Sequence, residues 1–248
     1  MNVVGVIDLL DGRAVHARGG DRSRYAAVTA AGASPIPAGD PVALARAYLD
    51  GFGLSALYAA DLDAILGRSP QASHLRALAA LDATLWADTG VRSAGDALAA
   101  RDAGAARVVV GLETLPSFEV LEAIGAAVGV ERVAFSLDLR DGVPIVADPA
   151  LAHGRTAADL ARDAVQHGAG TVIVLDLWRV GMGTGVDLSL LEDLRQALPH
   201  TALFAGGGIR DADDLARLAS AGCDGALVAS ALLDGRITRA GLARVRGI

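Results

Sequence analysis

The chain repeats itself over a long interval. The stretch GVRSAGDALAARDAGAARVVVG, beginning at Gly90, returns without a gap as GIRDADDLARLASAGCDGALVA, beginning at Gly208. A shift of 118 positions carries Gly90 onto Gly208, Arg92 onto Arg210, Asp96 onto Asp214 and Gly104 onto Gly222. Two more blocks recur in the same order. IDLLDG at Ile7 lies over LDLRDG at Leu137, and Ala60-Asp61-Leu62 lies over Leu175-Asp176-Leu177. Solenoid repeats run at a few tens of residues, so this interval does not describe a stack of small units. It describes two similar halves of one fold.

Between the repeated blocks, short apolar runs alternate with amphipathic stretches. The runs are Val3–Leu9, Ala56–Ala60, Thr84–Ala87, Arg107–Val110, Arg132–Leu137, Thr171–Leu175, Ala202–Ala205 and Ala226–Val228. Nearly continuous apolar strands separated by helices indicate a parallel sheet covered on its outer face. With 248 residues, 52% of them apolar, the chain suits one (β/α)8 TIM barrel. The expected domain spans 1–248, with half-barrels over approximately 1–127 and 128–248. Helices are expected near Asp40–Asp50, Gln71–Leu81, Ala94–Asp102, Phe118–Ala127, Ala157–His167 and Leu188–Ala197, with the segment from Leu232 closing the ring. The long segment Val15–Gly39 reads as a loop.

Composition removes several function classes. A net charge of −7 and 4% aromatic residues provide no basic, base-stacking surface, so no nucleic-acid partner is expected. No apolar run approaches membrane-spanning length, and Asp8 comes too early for a signal peptide, so a cytoplasmic protein without a membrane partner is expected. Cys223 has no second cysteine to pair with. The five histidines are scattered and no GxGxxG opens the first helix, which argues against a metal or a dinucleotide; no cofactor is expected. Nothing in the sequence sets an oligomeric state.

Two features carry chemistry. Gly206-Gly207-Gly208 follows an apolar strand and precedes a helix, an arrangement in which backbone N–H groups and the helix dipole favour a phosphate. The expected partner is therefore a small phosphorylated substrate. Asp8 and Asp138 end equivalent strands at the face where such barrels hold their active sites, and two carboxylates between two phosphate cradles suit proton transfer. The basic loop after the first strand, with Arg18, Gly20 and Arg22, offers guanidinium groups for a phosphate or carboxylate, or simply a solvated loop. Ser136 is expected to face the helices.

These pieces together resemble the histidine-biosynthesis barrel (HisA/HisF) family. The matching segments are VIDLLDGRAV, ADLD at Ala60, TGVRSAGDA, SLDLRDG and GGGIRDADDLARLASAGCDGALVASALLDGRIT. The resemblance implies a doubled barrel, a doubly phosphorylated ligand, Asp8 as proton-transfer base and Asp138 as its polar partner. It implies that Gly207, Gly208, Ala229 and Ser230 contact one phosphate while Gly90, Arg92, Gly111 and Leu112 frame the other. The chain departs from the family pattern after the sixth strand, where Leu175 stands for a threonine and Val180 for an acid, and after the fifth, where the stacking tryptophan is missing. An apolar side chain cannot donate the proton that opens a ribose ring. The opening AVHARGGDRSRY is similar to family members of methanogens and methylotrophs linked to tetrahydromethanopterin and one-carbon metabolism. The resulting expectation is an isomerase-like or lyase-like enzyme outside histidine synthesis, with Asp138, Asp176 or Asp61 as a second acid. The alternatives are a divergent histidine-pathway isomerase, a cyclase-like role, and a barrel that binds a phosphorylated ligand without turnover.

Overall fold

The computed structural model describes residues 1–19, 21 and 24–246, with the side chain of Arg246 excepted. Eight parallel strands form its centre: β1 (Asn2–Leu10), β2 (Ala56–Asp61), β3 (Thr84–Asp88), β4 (Arg107–Gly111), β5 (Val133–Arg140), β6 (Thr171–Asp176), β7 (Ala202–Gly206) and β8 (Gly225–Val228). Each pairs with the next in sequence, and β8 returns to β1 in the register Asn2 with Gly225 through Gly5 with Val228, so the sheet has no open edge. The fold is a (β/α)8 barrel. No helix among the described residues is long and apolar enough to cross a membrane.

Strand residues alternate between two cores, as the period of two in a strand requires. Val4, Tyr58, Trp86, Val109, Ala134, Ile173, Phe204 and Leu227 fill the barrel interior. Trp86 and Phe204 meet there with ring centroids 4.9 Å apart. The other strand face, with Ile7, Leu57, Val110, Phe135 and Val172, packs against the helices. This alternation decides which acids reach the mouth.

The helices begin where short polar side chains can cap them. α1 (Pro41–Arg46) has Asp40 accepting from Val42 N and Ala43 N, with Pro41 at the first turn, where its missing N–H costs nothing. α2 is Ala72–Ala79 and α3 Ala94–Asp102, the latter capped by Ser93. After α4 (Phe118–Val128), α5 (Ala157–Gln166) opens with a reciprocal cap between Thr156 and Asp159. α6 (Leu188–Ala197), α7 (Ala212–Ser220) and α8 (Arg239–Arg246) complete the outer layer, α6 and α7 being capped by Asp187 and Asp211.

Sequence and structure differ most after β1 and β5. The segment expected as one loop, Val15–Gly39, contains paired strands. Arg13–His16 folds back antiparallel on β1 and pairs onward with Ala26–Ala27, and Ala30–Ala31 pairs with Ser34–Pro35. The turn is Asp11-Gly12, with φ of 49° and 76°; its counterpart after β5 is Asp141-Gly142, with φ of 50° and 77°. Two consecutive left-handed residues are what a two-residue hairpin needs, and Asp-Gly tolerates them. The β1 turn is latched by a carboxylate after β2, where Asp63 Oδ2 accepts from Asp11 N at 2.9 Å. The β5 turn is latched by Asp176 Oδ1, accepting from Asp141 N at 3.2 Å.

Closure between β7, β8 and β1 depends on Gly225, where a β-carbon would run into the Phe204 ring and come to 2.7 Å from the Asn2 carbonyl oxygen. Gly225→Ala is expected to cost about 1–3 kcal/mol by overpacking. Urea unfolding checks this: the midpoint should fall while the slope stays unchanged.

Candidate functional site

A cavity opens at the C-terminal ends of the strands, the end where barrels of this kind place their sites. Asp8, Asp88, Glu113 and Asp138 line one part of it; Gly207, Gly208, Ala229 and Ser230 line another. The wall offered by β6 and its following loop is apolar, with Leu175, Leu177 and Val180.

The acids arrive by alternation. Asp8 follows Val4 and Val6 on the inward face of β1, and Asp138 follows Ala134 and Ser136 on β5. Asp88 ends β3 on the same face as Trp86. Asp138 is buried, with Oδ1 accepting from Ser136 Oγ at 2.6 Å and Oδ2 from Glu113 N at 3.2 Å. Ser136 therefore faces the barrel interior, correcting the expectation that it faces the helices; two residues apart on a strand share a face. Burial, followed by the nearby charge of Glu113, holds the Asp138 carboxyl well above the usual carboxylate range, against the opposing bond from Ser136.

Sequence reasoning missed Asp88 as a site residue. Its Oδ1 accepts from Gly90 N at 3.0 Å and its Oδ2 from the Tyr58 hydroxyl at 3.1 Å. Burial pushes its pKa up to about 6, with Glu113 and Asp61 adding to the rise and the bonds from Gly90 N and Tyr58 opposing it. Tyr58, itself buried among these acids, is shifted upward and stays a donor. The signal was in the repeat: the shift of 118 that overlays Gly90 on Gly208 sets Asp88 on Gly206. An acid there has no counterpart in the other half.

On the glycine side, Gly207 and Gly208 have φ of 89° and 87°, which L side chains rarely adopt. A β-carbon on Gly208 would lie 2.5 Å from the Gly185 carbonyl oxygen, so the bend also packs closely against the loop after β6. Ser230 Oγ lies 2.7 Å from His16 Nε2. Burial, then Arg18, lowers the His16 pKa, favouring a neutral imidazole beside the hydroxyl. The loops after β1 and β6 are joined at the rim, with Gly19 N donating to Val180 O at 2.7 Å.

Other sequence candidates sit elsewhere. Asp176 is on the outward face of β6, the phase of Val172 and Val174. Its oxygens accept from Asp141 N, Trp178 N and Arg179 Nε, which makes it a turn organiser and removes it from the mouth. Asp61 is likewise outward and buried, accepting from Ala64 N, Gln71 N and Gln71 Nε2. Neither stands where a second acid was expected, because a strand residue one place out of phase faces the helices. Arg92 donates to the Gly90 and Ile65 carbonyl oxygens at 2.8 and 3.0 Å. Gly90 packs on Ile65, and Gly111 leaves room for Asp138 Oδ2, 2.9 Å from where its β-carbon would stand. Leu112 is fully buried. Arg18 is exposed on the rim; Gly20 and Arg22 lie outside the described residues.

Comparison with known proteins places this geometry in context. The family model described as histidine biosynthesis protein matches residues 2–238. A Thermus thermophilus protein named 1-(5-phosphoribosyl)-5-((5-phosphoribosylamino)methylideneamino)imidazole-4-carboxamide isomerase is 34% identical over 238 residues, covering 96% of each chain. Proteins of the same name from Rubrobacter xylanophilus and Deinococcus radiodurans are 35% and 31% identical, covering 95% of this chain and 93% and 94% of their own. These relatives overturn the expectation of an enzyme outside histidine synthesis, which rested on Leu175, Val180, the missing tryptophan and the likeness of AVHARGGDRSRY to proteins of methanogens and methylotrophs. These local departures do not outweigh likeness to the named isomerases along nearly the whole chain.

The Asp88 environment makes stability depend on pH with a definite sign. Folding raises its pKa from 3.8 to about 6, so the folded state holds the proton more tightly. The group's contribution is complete below about pH 4 and is lost as pH rises through about 6. Asp88→Asn, with no charge to bury, should gain on wild type by on the order of 2–3 kcal/mol between about pH 4 and pH 7.5. Urea titrations of both proteins at the two pH values measure the difference.

Proposed function

Because the chain belongs to the histidine biosynthesis protein family, we propose that it is an isomerase converting a phosphoribosylamino compound from the aldose to the ketose form. The observation that carries this reading is the match to the isomerases over nearly the full length. The placement of Asp8 and Asp138 supports it, since both face inward at the mouth from strands related by the internal repeat. Such a conversion removes a proton from C2 of an opened sugar and delivers one to C1. A positioned carboxylate that takes and returns that proton lowers the barrier without a permanent change in the enzyme.

Asp8 is the base. It lines the cavity half-buried, on the rigid end of a strand, where its oxygen can be held against a sugar carbon. Asp138, whose burial favours the neutral carboxyl, serves as a hydrogen-bond donor to a sugar hydroxyl or its developing oxyanion. One phosphate is assigned to Gly207, Gly208, Ala229 and Ser230, which line the cavity together and offer backbone N–H groups and a hydroxyl. The other is assigned to the loops bearing Gly90, Arg92 and Gly111, on the strands that the repeat relates to β7 and β8. Arg18, on the rim, is available to the ligand from the loop after β1.

Two measurements test this. The gene should restore growth without histidine to a strain lacking the isomerase, and the purified protein should turn over the relatives' substrate. Asp8→Asn should lower kcat by about 10²–10⁴-fold while ligand affinity changes little, as expected for a lost general base. Failure of wild type in both assays would remove the reading.

A further inference from the structure

The isomerase reading needs a second proton, and it needs a donor for it. Opening the ribose requires a proton on the ring oxygen as the C1–O bond breaks. Val180, Leu175 and Leu177 leave the β6 wall apolar, and Asp176 is turned to the helices and engaged with Asp141 N, Trp178 N and Arg179. Among the described residues, the acidic side chains lining the cavity are Asp8, Asp88, Glu113 and Asp138.

Asp88 is distinguished within that set. It stands where the other half of the repeat has Gly206, so the twofold design of the barrel does not call for an acid there. It sits on the end of a strand, its oxygens oriented by Gly90 N and the Tyr58 hydroxyl, whereas Glu113 lies on the loop beyond β4. Its Oδ2 comes to 3.9 Å, and Asp138 Oδ2 to 2.9 Å, of the point where a Gly111 β-carbon would stand, so the two carboxyls converge on one end of the cavity. A buried acid that weakens the fold when it ionises is the kind of cost found at working sites.

We propose that Asp88, held by Tyr58, is the general acid that opens the sugar ring in this chain, with Asp8 as the base on C2. The proposal rests on the isomerase reading. The Asp88 carboxyl gives its proton to the ring oxygen as the C1–O bond breaks, and the nitrogen lone pair forms C1=N. Asp8 then removes the proton at C2, and the electrons of that C–H bond form C1=C2 while C1=N returns to a neutral amine. The enol hydroxyl gives its proton to the Asp88 carboxylate, C2=O forms, and C1 takes the proton from Asp8. Both residues end as they began, and no other reactant is consumed.

The environment of Asp88 sets the pH behaviour. Tyr58 faces it from β2, and the charge of Asp61 on the other face of that strand also reaches it; Glu113 faces it from the loop after β4 and Asp138 from β5, while Asp8 lies near Tyr58 across β1. An acid must be protonated to act, so kcat/KM should fall on the alkaline side through a limb belonging to Asp88. The bond from Tyr58 favours the carboxylate; its removal should raise the Asp88 pKa and move that limb to higher pH.

The test measures kcat, KM and pH profiles with the aminoaldose substrate, and product affinity by calorimetry. Wild type should turn over. Asp88→Asn should lose at least about 10²-fold in kcat with product affinity within threefold and should lack the alkaline limb. Tyr58→Phe should shift the limb upward, an effect that a merely structural tyrosine would not produce. If Asp88→Asn does not fold, the Tyr58→Phe profile decides: an unmoved limb overturns the proposal. Turnover by wild type together with Asp88→Asn within threefold overturns Asp88 alone and leaves the isomerase reading standing. Absence of turnover by wild type removes the isomerase reading, and the proposal with it.

Discussion

The alternation of side chains across a closed parallel sheet is the constraint on which the site depends. Once β8 pairs with β1, every strand has one face toward the barrel axis and one toward the helices, and register cannot slip without exchanging the two cores. Val4, Val6 and Asp8 share one phase, as do Ala134, Ser136 and Asp138. The apolar residues deep in the barrel thus hold the acids at its mouth. Asp61 and Asp176 are equally acidic and equally near strand ends, yet one residue out of phase they serve turns and helix starts.

That distinction separates two uses of buried carboxylates. Asp61 and Asp176 each accept several backbone or side-chain donors, Asp63 accepts from Asp11 N and pairs with Arg68, and together they tie the hairpins and a helix entry to their strands. Asp88 and Asp138 also have partners, but burial and neighbouring acids dominate, pushing both upward in pKa. The first group stabilises loops. The second leaves protonatable groups in a cavity, at a cost to the fold.

The two halves are similar without being equivalent at the site. Arg92 and Arg210 occupy matching positions, and each donates its backbone N–H to the acid four residues on, Asp96 or Asp214. Their side chains diverge: Arg210 pairs with Asp214, whereas Arg92 turns to the carbonyl oxygens of Gly90 and Ile65. With Asp88 on one side and Gly206 on the other, the first half presents Asp8, Asp88 and Glu113 to the cavity, whereas the second presents Asp138 together with glycines and a hydroxyl. A ligand entering this mouth meets a polarised surface, although the scaffold beneath it is nearly symmetric.

Much of this was legible in the chain itself. The period of the repeat and the alternation of strands and helices are periodic signals, and burial acts on them directly. The Asp-Gly turns were visible too, but reading them as hairpins required noticing that both residues must adopt positive φ. Which acids face the ligand was decided by tertiary structure. The phase of a strand is set by what packs on both of its faces, and the upward shifts of Asp88 and Asp138 arise from residues brought together by barrel closure from β2, β4 and β5. Sequence determined that the chain would close into a doubled barrel with acids near its strand ends; only closure determined which of those acids are held in the cavity, because facing and desolvation are properties of the assembled ring.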